Sequence, residues 1–343
     1  MRFLNLFLIC FLASCSLSNI EPDVEKTLTL KNITDNNKTI GVSVLSEQLF
    51  SNANYQSFIN NEFSGITPEN AMKMETLNPT NGVYNFRDAD EIVSWAESNK
   101  KVIRGHPIIW HRQVPSYVKD LDSNQLKEIF ESHILTIIKR YQSSVFVWDV
   151  VNEAINSDGT PRKSIWLKHL GADYIKDAFI LAHLVNPKAK LFYNDYDLTM
   201  PGPKFNSAYE LVKDLLKKKI PIHGIGLQMH LRPDFKQSEE GLRLVIQKFS
   251  ELGLEVHLTE IDIAIATPSS LNDREVQAKT FKFIGSICSE FPSCTSLSLW
   301  GLNDSASWIP SHFKGLGEAT LFDKDLNKKS AYYEFLRGLK SRN

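Results

Sequence analysis

A single (β/α)8 barrel is the fold class this sequence predicts, and three observations lead to it. Short apolar segments and longer helix-patterned segments alternate eight times in one uninterrupted run after about residue 37. No strand leads directly into a G-x-G-x-x-G turn and no phosphate-cradling loop appears, so a doubly wound nucleotide-binding sheet lacks its usual support. The polar residues gather at the strand ends, where barrels of this kind carry their chemistry.

Taken in order, strands are expected near 40–45, 63–67, 102–106, 145–151, 190–194, 222–228, 255–260 and 296–300. Each is a short run rich in β-branched, aromatic or other apolar residues, as strands buried on both faces are. Helices are expected between them at 51–61, 88–99, 123–142, 171–186, 203–219, 238–252 and 274–290, with a last one at 330–341. No internal repeat or low-complexity stretch appears, nor an appended module large enough to bind a polymer independently. The 343 residues are ample for a buried core, and 42% hydrophobic with 23% charged residues describes an ordinary globular chain. A formal net charge of −1 gives no reason to expect nucleic acid or a polyanionic partner.

The first fifteen residues are a separate object. Arg2 precedes an apolar run from Phe3 to Ala13, too short to span a bilayer, which reads as an export signal. It ends Leu12-Ala13-Ser14-Cys15, which resembles a bacterial lipobox and implies cleavage before Cys15 and lipid attachment to its sulfur. Ser16 follows rather than an aspartate, the residue that resembles an inner-membrane retention signal, so the outer membrane or cell surface is the expected destination. An ordinary signal peptide with an incidental cysteine is the alternative. Residues 16–36 are expected to be a polar tether and 37–343 the barrel. Export permits disulfides. Cys10 would be removed and Cys15 lipidated, which leaves Cys288 and Cys294. A short-loop disulfide is expected there, with two free buried thiols as the alternative. No second ligand pair lies nearby to suggest a metal.

Two strand ends stand out. The run Val145 to Val151 delivers Asn152 and Glu153 where its strand should stop, and Leu254 to Leu258 delivers Thr259, Glu260 and Asp262. Two strand-end carboxylates facing one bond are the minimal apparatus for hydrolysing a glycoside: one gives the leaving oxygen a proton, the other supports the developing cation. Other strand ends carry Glu69-Asn70-Ala71-Met72-Lys73, Arg104-Gly105-His106 with Trp110-His111, Tyr193-Asn194-Asp195-Tyr196, Gln228-Met229-His230, and Trp300 with Trp308.

These motifs resemble the family 10 glycoside hydrolases, the endo-β-1,4-xylanases, over about residues 40–337. The most specific pieces are Trp148-Asp149-Val150-Val151-Asn152-Glu153-Ala154 and Thr259-Glu260-Ile261-Asp262. The spacing of Cys288 and Cys294 is also similar to a disulfide in many members. The resemblance implies Glu153 as general acid/base and Glu260 as nucleophile in a retaining double displacement, their carboxyls about 5–5.5 Å apart. It implies Asn152 as donor to the sugar 2-hydroxyl and His230 as partner of Glu260, with Asp262 orienting the imidazole. Glu69, Asn70 and Lys73 resemble contacts to sugars on the non-reducing side; His106, Trp110 and Gln228 resemble contacts around the cleaved unit; Trp300 and Trp308 offer aromatic faces. Lys73 and Trp308 resemble residues that crowd a glucose hydroxymethyl, favouring xylan or xylooligosaccharide over a β-1,4-glucan. His111 and His257 are assigned structural roles. No cofactor, no metal and a monomer are expected. Met74, Pro107 and Lys329 depart from common family residues at positions bearing on distal sugar contacts and loop shape. The rivals are a barrel glucanase, a polysaccharide-binding lipoprotein without catalysis, and a metal-dependent barrel hydrolase, for which no H-x-H pair follows the first strand.

Overall fold

A computed structural model describes residues 28–33, 38–232 and 238–340. Eight parallel strands close on themselves: β1 (Thr39–Val44), β2 (Gly65–Pro68), β3 (Val102–Gly105), β4 (Val147–Asn152), β5 (Lys190–Asp195), β6 (Gly224–Leu227), β7 (Glu255–Ile263) and β8 (Cys294–Leu299). Each pairs with the next, and β8 pairs with both β7 and β1, so the sheet has no free edge. One long helix follows each strand: α1 (Ala53–Glu62), α2 (Arg87–Ser98), α3 (Ser123–Arg140), α4 (Tyr174–Val185), α5 (Pro203–Lys217), α6 (Glu239–Glu251), α7 (Leu271–Glu290) and α8 (Ser330–Lys340). The expected (β/α)8 barrel is therefore the fold, and all sixteen elements fall where the periodicity placed them.

Local signals explain the helix ends. Asp122 and Gln125 form a reciprocal capping box at the start of α3, and Ser270 with Asp273 does the same for α7. Ser238 caps α6 through the Gly241 N–H. On the inner faces, Phe205, Ala208, Val212 and Leu215 of α5 and Leu242, Val245, Ile246 and Phe249 of α6 recur at helical spacing and are buried against the strands. Cys288, late in α7, is disulfide-bonded to Cys294, which opens β8. The expected pairing is thus present, and it ties a helix to the strand that follows it.

One boundary moves. The polar composition of 16–36 suggested a tether up to the barrel, yet Leu30–Ile33 is helical and Leu30 is fully buried. The Leu30 N–H donates to Glu62 at 3.1 Å, and the Tyr332 hydroxyl donates to the Leu28 carbonyl at 3.3 Å. Leu28, Leu30 and Ile33 supply apolar surface that an average over the segment conceals. The export signal, Cys15 and residues 16–27 lie outside the described residues.

Candidate active site

The site is built at the C-terminal ends of the strands. In β4 a bulge falls between Asp149 and Val151, which pair with Phe192 and Tyr193 of β5. The extra residue switches the alternation, so Asp149 and Asn152, three apart, both address the barrel interior. Asp149 is fully buried and bonded to Arg104 of β3, whose Nε donates to Oδ2 at 2.9 Å and whose Nη2 donates to Oδ1. Burial works against the Asp149 charge, but Arg104 and His106 outweigh it and hold the carboxyl below its ordinary value. Asp149 Oδ2 also accepts His106 Nδ1–H at 2.8 Å, and that same nitrogen lies 3.9 Å from Glu260 Oε1.

Glu260 and Asp262 both face inward from β7, as an extended segment requires, and His230 sits between them. Its Nε2 is 3.0 Å from Glu260 Oε2 and its Nδ1 2.9 Å from Asp262 Oδ2. Two carboxylates can only accept, so both ring nitrogens donate and the ring is an imidazolium. Burial opposes that charge, yet Asp262 and Glu260 push the His230 pKa up to about 10. Glu260 is likewise opposed by burial, and His106 and His230 hold it below its ordinary value. The Trp308 indole N–H donates to Asp262 at 2.7 Å, fixing the far end of the chain.

Asn194, at the end of β5, joins the two catalytic candidates. Its amide donates to Glu260 Oε1 at 2.7 Å and accepts from Thr259 Oγ1 at 2.7 Å, so it is pinned from both ends. Its second N–H meets Asn152 Oδ1 at 2.9 Å. Gln228 then donates to Asn152 at 3.2 Å and to Glu153 Oε1 at 3.2 Å. The opposite orientation of the Asn152 amide would gain the Trp110 indole at 3.2 Å and the Asn194 carbonyl at 3.0 Å but set its NH2 against those of both Asn194 and Gln228, which favours the orientation given. Gly226 makes room for this arrangement, since a Cβ there would come within 2.1 Å of Asn194 Oδ1. A chain of amides thus joins Glu260 to Glu153.

Around them, Glu69 accepts from Ser43 at 3.1 Å, and Lys73 donates to Asn70 at 2.8 Å while lying 5.1 Å from the Trp110 ring. Burial raises the Glu69 carboxyl and lowers the Lys73 ammonium. Trp300 is only 6% exposed, its ring edge-on to His106 and His230, so it shapes the cleft floor rather than presenting a broad open face. His111, assigned a structural role from sequence, instead lies beside Glu153, with Nδ1 3.7 Å from its carboxyl. Burial, together with Arg162, Arg112 and Lys204, pushes its pKa down to about 3, so it is neutral there. His257 does stay at the other end of the barrel. Arg104 can only donate, so His257 Nδ1 accepts from it at 2.8 Å and the ring is neutral.

Asn194, Asp149 and Arg104 were absent from the sequence-derived site. An aspartate inside a buried strand is itself a signal, because it demands a buried cation, and Arg104 stands in the neighbouring strand. Asn194 carried no comparable signal beyond its place at a strand end.

The sequence pattern of glycosyl hydrolase family 10 matches residues 29–337. Endo-1,4-beta-xylanase A of Humicola insolens is 38% identical over 280 residues, covering 81% of this chain and 74% of that protein. Endo-1,4-beta-xylanase B of Thermotoga neapolitana is 36% identical and covers 81% of each. Among solved structures, native xylanase 10B from Thermotoga maritima superposes with a TM-score of 0.87 at 34% identity, covering 91% of this chain and 98% of that one. Xylanase 10B from Thermotoga petrophila RKU-1, solved in complex with xylobiose, gives 0.87 at 34%, covering 91% and 97%.

Proposed function

Because this chain belongs to glycosyl hydrolase family 10, we propose that it is an endo-1,4-β-xylanase that cuts xylan with retention of configuration. Glu153 serves as acid/base and Glu260 as nucleophile. The observation that carries this reading is the pair of carboxylates linked through Asn194, Asn152 and Gln228, with Glu260 held ionised by His230 and His106. Glu260 attacks the anomeric carbon as Glu153 protonates the leaving oxygen. Water, deprotonated by Glu153, then releases the sugar from Glu260. Asn152 adjoins Glu153 directly and Glu260 through Asn194, and serves as donor to the sugar 2-hydroxyl. Lys73, Glu69 and Asn70 bind the non-reducing side; Trp110, Gln228, His106, Trp300 and Trp308 frame the cleaved unit.

Following hydrolysis of xylooligosaccharides by proton NMR tests this. The β-anomer should appear first, with internal bonds cut before terminal ones. First appearance of the α-anomer, or faster release of reducing ends from carboxymethylcellulose than from xylan, overturns the reading.

The export signal and the lipobox-like run support a lipid anchor at Cys15 and a place at the outer membrane or cell surface. Labelled palmitate should enter the wild-type chain and not Cys15→Ala; equal labelling of both refutes the anchor. We take the enzyme to act as a monomer, since one chain supplies every group named above, and light scattering at working concentration checks this.

A further inference from the structure

Glu153 is the first residue past β4, and its backbone turns left-handed there, with φ of 56°. A side chain with a Cβ persists in that region only where its surroundings hold it. Three hydrogen bonds do so. The Glu153 N–H donates to the Asn194 carbonyl at 2.9 Å, extending the β4–β5 ladder by one rung. The peptide group that follows is gripped at both ends by side chains. Its carbonyl accepts from Arg162 Nε at 2.7 Å, and its N–H, that of Ala154, donates to the Tyr193 hydroxyl at 3.1 Å.

Each of the two grips is itself fixed. Arg162 also donates through Nη2 to the Ile155 carbonyl at 3.1 Å and to the Tyr196 hydroxyl at 2.6 Å. Tyr193 is fully buried and donates to Asp195 Oδ2. The other Asp195 oxygen accepts the Tyr196 N–H at 2.9 Å and lies 2.7 Å from the ammonium of Lys204, a residue only 2% exposed. A buried phenol, carboxylate and ammonium are hard to desolvate, and a substitution that left one of them alone would be destabilising. Here they converge on one main-chain N–H, and that N–H belongs to the residue after Glu153. Among the described residues, the Glu153 carboxyl meets the neutral side chains of Gln228, Asn152 and His111, whose contacts of 3.2 to 3.7 Å are longer than those on its peptide group. They hold its tip, while the backbone sets where it starts and the direction in which it leaves the strand.

We propose that Arg162 and Tyr193 are positioning residues for the general acid: by clamping the Glu153–Ala154 peptide from both ends they fix the line along which the Glu153 carboxyl reaches the leaving oxygen. This rests on the assignment of Glu153 as acid/base. It goes beyond that assignment by placing part of the acid's efficiency in two side chains that touch neither sugar nor carboxyl.

The test compares Arg162→Met, Arg162→Lys and Tyr193→Phe on xylotetraose and on 2,4-dinitrophenyl β-xylobioside, whose leaving group departs without protonation. On xylotetraose, kcat/KM should fall about 10- to 100-fold for Arg162→Met and Tyr193→Phe, a part of what general acid catalysis contributes. On the dinitrophenyl substrate, kcat/KM should stay within about threefold, because its first step does not call on the acid. Arg162→Lys, which keeps one donor, should recover part of the loss. Equal losses on both substrates, or no loss on either, overturn the proposal. Glu153→Gln is run alongside: if it keeps its rate on xylotetraose the acid assignment fails, whatever the other variants do. Should Arg162→Met not fold, Tyr193→Phe and Arg162→Lys decide the matter from opposite ends of the same peptide.

Discussion

His230 stands 3.0 Å from Glu260 as a cation, with Asp262 on its far side, so the proposed nucleophile is kept anionic by a partner that is itself kept charged. The sign of its effect on pH dependence follows. Glu260 is depressed below its ordinary value, so its reactive form persists as pH falls, down to that lowered pKa. In His230→Asn the cation is gone and burial acts unopposed by it, so the Glu260 pKa rises. The acid limb of the kcat/KM profile should move up by about one pH unit or more, with kcat lowered. An acid limb that stays in place would show that His230 does not set the charge of Glu260.

Arg104 and Asp149 make a separate prediction, on stability. Removing Arg104 leaves a buried carboxylate without its cation, which is destabilising by about 3–5 kcal/mol. Arg104→Met should lower the urea midpoint accordingly, and Arg104→Met/Asp149→Asn should recover much of the loss. The pair also sets an acid window. The folded-state pKa of Asp149 is lowered, so its contribution is complete above the unfolded value of about 4 and drains away as pH falls below it. Wild-type stability should therefore drop below about pH 4 more steeply than that of the double variant. Parallel curves would show that the pair does not contribute.

Much of this could be read in the chain, and the division has a physical basis. Strands and helices announce themselves through local periodicity, and Glu153 and Glu260 through polar groups ending apolar runs, so both fold and carboxylates were legible. What escaped depends on register. Asp149 and Asn152 look as if they face opposite sides of β4 until the bulge between Asp149 and Val151 is seen. His111 follows Trp110 and, from spacing alone, could have pointed away from the cleft; only the fold brings it to 3.7 Å from Glu153. The first buried turn at Leu30–Ile33 escaped for a different reason, its few apolar residues being diluted by polar neighbours.

The disulfide between Cys288 and Cys294 closes a short loop, so its contribution should be modest. Chain-entropy arguments give about 2–2.5 kcal/mol for a loop of this size. Cys288→Ala/Cys294→Ala should lower the melting temperature by a few degrees while leaving kcat on xylan unchanged, since both residues sit at the end of the barrel away from Glu260. A change in kcat at a temperature where both proteins are folded would contradict that separation.

Asn194 offers the sharpest check on the amide bridge. It donates to Glu260 at 2.7 Å and is held in that orientation by Thr259, so its N–H is a preorganised bond to the charged form of the proposed nucleophile. Hydrogen bonds to charged groups contribute about 1.5–3 kcal/mol, so Asn194→Ala should lower kcat/KM about 10- to 100-fold and move the acid limb upward. Asn194→Asp is the more telling variant. It is nearly isosteric, but it sets a second negative charge against Glu260 in place of a donor. One of the two carboxyls must then take up a proton, and the shared proton turns the acid limb into the titration of a pair. Activity at neutral pH should fall further than in Asn194→Ala and recover in part as pH is raised. If Asn194→Asp were no worse than Asn194→Ala across the profile, the Asn194 amide would not be a functional donor to Glu260, and the link from Glu260 to Asn152 would be packing alone.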